Sequence, residues 1–238
     1  MIRFYAPDIE STHALPESES AHAVRVLRKR AGDEIEVVDG IGGLYICRLL
    51  TEHHKSASLE IIERRELPKV WKPEICIAVA PTKHNDRMEW LIEKAVEIGI
   101  DSFVPLLTAR SERKQINVER FEKIAVSAMK QSLKAVLPRI HPMTPLRDYL
   151  KSLRTDAQNF VGWCDSESER KLLAKACAPA RDTNILIGPE GDFTPEEIEA
   201  CLEAGFTAVT MGDNRLRTET AALVGLDTVH IINQVFSE

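Results

Sequence analysis

Ile185-Leu186-Ile187-Gly188-Pro189-Glu190-Gly191-Asp192-Phe193-Thr194-Pro195-Glu196-Glu197 passes from an apolar run, through a glycine-proline turn, to a helix start. The apolar triplet reads as the end of a buried strand. Thr194 is placed to cap the helix. Pro195 takes the first helical position, where a missing N–H costs little, and Glu197 completes a capping box. Gly188 and Gly191 permit a sharp turn and let a ligand approach main-chain atoms. Strand, turn and helix in that order form the unit of a parallel α/β sheet. A plain strand-to-helix connection would explain this segment alone equally well.

The same alternation extends outward. Residues 75–80 form an apolar run expected of a strand covered on both faces, and residues 86–98 carry Met88, Leu91, Ile92, Ala95 and Val96 on one helical stripe before Gly99. Residues 103–107, 159–163 and 184–188 read as further strands. Asn117 is placed to cap a helix with Phe121, Ile124, Ala125 and Ala128 inside, ending before Pro138. A second informative stretch is Met211-Gly212-Asp213-Asn214-Arg215-Leu216-Arg217-Thr218-Glu219-Thr220-Ala221, where a strand end gives way to a loop and the last helix starts near Thr218. A surface ion pair would account for Arg217 and Glu219, but the helix that follows is nearly all apolar and should be buried.

Upstream, Glu66-Leu67-Pro68-Lys69-Val70-Trp71-Lys72-Pro73 loses all periodicity and marks a boundary, giving domains over 1–70 and 71–238. The first is β-rich. Residues 33–38, 44–50 and 58–62 read as short strands, with Gly40-Ile41-Gly42-Gly43 as a hairpin turn rather than a dinucleotide loop, because no helix follows it. Residues 19–31 fit a helix closed by Gly32, which would put His22, Arg25 and Lys29 on one face opposite Val24, Leu27 and Ala31.

The 238 residues are 44% hydrophobic and 29% charged, values that exclude disorder and collagen-like repeats, and the longest apolar run of note, residues 75–80, is far short of a membrane span. With no signal-peptide stretch at the N-terminus, a cytoplasmic protein is expected. Cys47, Cys76, Cys164, Cys177 and Cys201 are scattered, so reduced thiols and no metal are expected. A net charge of −6 argues against indiscriminate coating of nucleic acid. Two stretches nevertheless lack any acid: residues 21–32, with His22, Arg25, Arg28, Lys29 and Arg30, and residues 127–147, with Lys130, Lys134, Arg139, His141 and Arg147. They could face phosphates, although each alone reads as a solvated face.

Five stretches together resemble the SPOUT class of methyltransferases, and within it the 16S ribosomal RNA uracil-N3 methyltransferases, the RsmE family. They are 187–191 (Ile-Gly-Pro-Glu-Gly), 216–221 (Leu-Arg-Thr-Glu-Thr-Ala), 22–28, 93–100 and 130–133, spread in order along the whole chain. The resemblance implies a small N-terminal PUA-like β-barrel and a C-terminal α/β domain with a trefoil-knotted parallel sheet, working as a homodimer. It implies S-adenosylmethionine held by Leu186, Ile187, Gly188, Pro189, Glu190, Gly191, Met211, Gly212, Leu216 and Thr218. Together with the basic stretches it names Arg3, His22, Arg25, Arg28, Lys29, Lys83, Arg110, Lys130, Gln131 and Ser132 as contacts to 16S rRNA or the small subunit. Two departures stand out: Asp192 where the family usually has glycine, and Asp213-Asn214 in place of a more compact pair.

Methylation at N3 of uridine requires an imide proton to leave and negative charge on the uracil carbonyls to be stabilised. Arg217, always charged, is the candidate for stabilisation; Glu219 would orient Arg217 or accept the proton, the orienting role being the expected one. Another SPOUT enzyme acting on a ribose 2′-hydroxyl, or a non-enzymatic ribosome assembly factor, are the alternatives. A Rossmann-type methyltransferase is disfavoured, since Ala80-Pro81-Thr82-Lys83 stands where its glycine-rich loop belongs. The last helix also carries Val224, Ile231, Ile232 and Val235 outside its main stripe of Ala222, Leu223, Leu226 and Val229, as expected if a partner copy covers it.

Overall fold

Alternating apolar residues near the N-terminus build a mixed four-stranded sheet in the order β1-β2-β3-β4. Its strands are β1 (Arg3–Tyr5), β2 (Glu34–Val38), β3 (Gly43–Leu49) and β4 (Leu59–Glu66), with α1 (Ile9–Thr12) and α2 (Glu17–Ala21) between the first two. β1 pairs with β2 in parallel, whereas β2, β3 and β4 pair antiparallel, so the glycine tetrad closes a hairpin. Phe4, Ile9, Leu15, Val37, Tyr45, Leu49 and Leu59 form the core of this unit. Each large apolar side chain buried there contributes about 1.5–3 kcal/mol. This computed structural model describes residues 2–153, 156–164 and 170–236.

Contacts divide the chain into Met1–Val70 with Val126–Leu137, and Trp71–Ala125 with Pro138–Glu238. The returning segment is tied to the first unit by main-chain bonds from Gly42 N to Ala135 O (3.0 Å) and from Leu137 N to Gly40 O (2.8 Å).

The helix expected over 19–31 differs. α2 runs on as a π-helix over His22–Val26 and stops there. Arg28, at φ 55°, turns the chain in the left-handed region ahead of Gly32. With the helix ended at Val26, Lys29 lies outside it and shares no helical face with His22 and Arg25. Val26 is 67% exposed.

The second unit carries β5 (Ile75–Val79), α3 (Asn85–Ile98), β6 (Ser102–Leu107), the start of α4 (Val118–Gln131), β7 (Arg139–Ile140), β8 (Thr144–Pro145) and α5 (Leu146–Lys151). β9 (Gln158–Gly162), β10 (Lys171–Leu172), α6 (Leu173–Ala176), β11 (Thr183–Ile187), α7 (Pro195–Glu203), β12 (Thr207–Thr210) and α8 (Thr218–Phe236) complete it. The sheet order is β10-β12-β9-β11-β5-β6-β7, with β8 beside β6, and every pairing is parallel. Asn117 caps α4 through its Oδ1, which accepts from Arg120 N (3.0 Å). Thr194 and Glu197 form the expected capping box on α7. One core packs Val104, Leu106, Tyr149, Val161, Leu186, Phe193 and Ile198. α3 and α8 contact each other, and α8 lies against β11 and β5. Ile232 joins Ala222, Leu226 and Val229 among the buried residues of α8. That corrects its expected outward position; Ile231 and Val235 are exposed.

Thiol burial sets an alkaline limit on stability. Burial pushes Cys47 from 9.0 up to about 11, and burial with Glu197 nearby pushes Cys201 up to about 12. The folded chain therefore holds these protons more tightly than the unfolded chain. Their contribution is intact below the ordinary value of 9.0 and is lost as pH rises towards 11–12. The urea midpoint should fall steadily above about pH 9; a midpoint that stays flat to about pH 10.5 would contradict this.

Candidate active site

The flagged residues lie where parallel strands end, the edge at which open α/β sheets bind ligands. Leu186 and Ile187 are the last buried residues of β11, Gly188 and Pro189 are buried just past it, and Glu190 and Gly191 are exposed. Thr218 Oγ1 donates to the Gly188 carbonyl over 3.1 Å, joining the start of α8 to a turn 30 residues earlier. In the other loop, Thr210 Oγ1 donates to the Gly212 carbonyl (2.7 Å). Met211 reaches in, its terminal methyl 3.3 Å from where a Cβ would stand at Gly162 or at Gly225. Leu216 is half-buried. One hydroxyl thus brings the two sequence-flagged loops together.

The loops after β5 and β6 fasten the first of them. Arg110 Nη1 donates to the carbonyls of Gly191 (2.8 Å) and Phe193 (3.2 Å). Ala109 N–H donates to Glu197 (2.7 Å), and Lys83 N–H donates to Glu190 Oε1 (3.1 Å). Arg110, expected as an RNA contact, fastens this loop through Nη1.

Asp192 takes φ 61° where a glycine was expected. Its carboxylate accepts from its neighbour Phe193 N (2.8 Å) and from Cys164 N (3.1 Å). Short polar side chains tolerate this conformation by such local bonds, so the departure preserves the turn. Burial and the Asp192 charge push the Cys164 thiol up.

At the start of α8, Glu219 is 6% exposed and Arg217 is exposed. The partner of Glu219 is Arg87 of α3, Nε to Oε1 3.8 Å, and Arg217 has no side-chain partner among the described residues. The expected Glu219–Arg217 pairing is therefore corrected. Sequence reasoning missed Arg87, although a cation in the first turn of a helix opposes the macrodipole and is a signal that something else holds it there.

In the N-terminal unit, Arg25 and Arg28 are exposed, His22 and Lys29 are half-buried, and Gln131 is exposed. Arg3 and Lys130, expected as RNA contacts, are held in internal ties. Arg3 pairs with Glu36 at 2.9 Å with its side chain 9% exposed, and also donates to the Leu133 carbonyl. Lys130 pairs with the buried Glu19. Ser132 donates its hydroxyl back to Ala128 O (2.7 Å).

A ligand could use the main chain of both loops. At Gly191 an added Cβ would meet only Arg110, at 3.5 Å, and at Gly212 it would meet nothing within 4 Å. Space over exposed backbone, next to apolar strand ends, fits a small polar-apolar molecule such as S-adenosylmethionine. Among the described residues no cluster suits a metal ion, and no helix is long and apolar enough to cross a membrane.

Comparison with known proteins agrees with this geometry. A model of the RNA methyltransferase domain matches residues 70–230, and one of the RNA methyltransferase PUA domain matches residues 15–62. The crystal structure of a probable rRNA-methyltransferase from Porphyromonas gingivalis is 41% identical, with TM-score 0.94 over 99% of this chain and 100% of that one. A ribosomal RNA small subunit methyltransferase E from Neisseria gonorrhoeae, solved bound to S-adenosyl methionine, is 27% identical with TM-score 0.83 over 98% of each chain. The ribosomal RNA small subunit methyltransferase E of Synechocystis is 30% identical over 94% of this chain and 74% of that protein. With its PUA domain, its parallel sheet and its two joined loops, the chain belongs to the ribosomal RNA small subunit methyltransferase E family.

Proposed function

We propose that this chain transfers a methyl group from S-adenosylmethionine to N3 of a specific uridine in 16S rRNA of the small ribosomal subunit. The observation that carries this reading is the Thr218–Gly188 bond, which sets the two open-backed loops beside an uncommitted Arg217 and a buried Glu219. The stretches 186–191 and 211–212, with Leu216 and Thr218, would hold the cofactor, which when bound supplies an electrophilic methyl group. Arg217 stabilises the charge that spreads over the uracil carbonyls. Glu219, held by Arg87, would accept the N3 proton directly or through a water, so that N3 could take the methyl group as its bond to the sulfonium sulfur breaks and the neutral thioether leaves. N3 lies on the pairing edge of the base, so the target uridine is unpaired or flipped out.

His22, Arg25, Arg28, Lys29 and Gln131 of the N-terminal unit grip the RNA, and the protein works in the cytoplasm. It does so as a homodimer through the α8 stripe of Val224, Thr228, Ile231 and Val235. Of these, Ile231 is 50% and Val235 64% exposed, an apolar face better covered than wet. Sedimentation equilibrium should give twice 26.7 kDa, and Ile231→Glu with Val235→Glu should halve it. An active wild-type monomer would contradict the dimer.

The cofactor assignment is tested at Gly191, where an added Cβ meets only the Arg110 side chain, at ordinary contact distance. Gly191→Val should weaken S-adenosylmethionine about tenfold or more in calorimetry, a loss of about 1.4 kcal/mol, with the melting temperature nearly unchanged. An equal dissociation constant would remove this loop from the site. For the reaction as a whole, rRNA from a deletion strain should lack one 3-methyluridine. A missing ribose methyl would instead mark a 2′-hydroxyl enzyme, and no missing mark an assembly factor.

A further inference from the structure

We propose that the open cleft between Lys83, Arg113 and Lys114 is a phosphate-binding subsite that seats the RNA strand next to the nucleotide being methylated; this rests on the RNA methyltransferase reading above. The cleft holds about 500 Å³ and is completed by Glu112 and Gln115. Its lining carries three cations against one carboxylate. Among the described residues Glu112 engages Lys83 alone, at 3.5 Å. Lys114 is exposed and has no partner among the described residues.

Arg113 is fixed rather than free. Its Nε donates to Thr82 O (3.2 Å) and its Nη2 to Lys83 O (2.6 Å). A planar guanidinium anchored along one edge keeps its charge and remaining N–H groups in a set position, which suits a phosphate oxygen. Excess positive charge selects an anion. An isolated metabolite would need groups that read its other parts, and this open lining supplies only charge and one amide. A phosphodiester strand needs nothing more from such a site, since phosphate contacts position and carry no sequence information.

The connection from β5 to α3 links this cleft to the chemistry. Lys83 reaches the cleft with its side chain, while its own N–H holds Glu190 of the candidate cofactor loop. Four residues on, Arg87 holds Glu219. A strand seated on Lys83 and Arg113 is therefore bound to the same short segment that supports both halves of the candidate site.

The test uses the full chain and fluorescein-labelled oligouridine, with anisotropy measured across a salt series. Lys114→Glu should weaken RNA binding about tenfold, and both it and Lys83→Gln should reduce the log–log salt slope by about one. Calorimetry should give wild-type cofactor affinity for Lys114→Glu. In turnover with rRNA, Lys114→Glu should raise KM and leave kcat nearly intact. Unchanged slopes in both variants overturn the cleft, as does an equal weakening toward polyglutamate, which would mark an acidic protein as the occupant. Reduced slopes in the two variants, with a wild-type protein that methylates no RNA, would leave the cleft standing and remove the enzymatic reading. Methylation with unaltered slopes would do the reverse.

Discussion

Arg217→Ala is expected to lower methyl-transfer turnover about a hundred- to a thousandfold, the usual cost of removing a group aimed at developing charge. Arg217 is exposed and unpartnered among the described residues, so the fold should not notice its loss. Cofactor affinity should stay within about twofold, because catalysis depends on what binds the transition state better than the ground state. Arg217→Lys should recover only part of the rate, since an ammonium lacks the planar fork that can span a carbonyl edge. Single-turnover kinetics with rRNA would check this. A rate within about threefold of wild type for Arg217→Ala would place the charge stabilisation elsewhere.

Gly99→Ala is expected to cost the C-terminal unit about 3–5 kcal/mol, combining disfavoured backbone with overpacking. Gly99 ends α3 at φ 132°, and a Cβ there would stand 2.7 Å from Trp71 Cζ3. Trp71 cannot easily retreat. Its indole N–H donates to Asp101 (2.9 Å), and its ring meets His230 edge-on with centroids 5.4 Å apart. His230 in turn lies 2.7 Å from the Gly99 carbonyl through Nε2, which locks α8 to the end of α3. For a chain of this length each kcal/mol moves the melting temperature by about 2–4 °C. A fall of about 10 °C is therefore expected in calorimetry, and a shift below about 2 °C would show that Trp71 gives way freely.

Much of the fold was legible because its signals are local. The stripe of Met88, Leu91, Ile92, Ala95 and Val96 is buried as its spacing requires, and the Thr194–Glu197 capping box forms as written. The turn after β11 could be read because proline, glycine and the cap act within a few residues of one another. The π-turn at His22–Val26 left no such trace, since one extra residue in a turn alters no composition.

Charges were hardest to assign. Lys130 finds Glu19 at a separation of 111 residues, and Arg110 finds the Gly191 carbonyl at a separation of 81. A basic run shows where cations occur, not which of them tertiary structure has already neutralised. The Arg87–Glu219 pair is of the same kind. Both residues sit at helix starts that sequence locates well, but only the packing of α3 on α8 brings them together.

The central claim is that the two loops joined by Thr218 and Gly188 serve methyl transfer to N3 of uridine. It is tested most directly by incubating the purified chain and S-adenosylmethionine with small ribosomal subunits and rRNA from a strain lacking the protein, then resolving the nucleosides by mass spectrometry. The account predicts 3-methyluridine at one site with wild type and about a hundredth or less of it in the same time with Arg217→Ala. A 2′-O-methylated nucleoside, or no methylated product from either substrate, would contradict it.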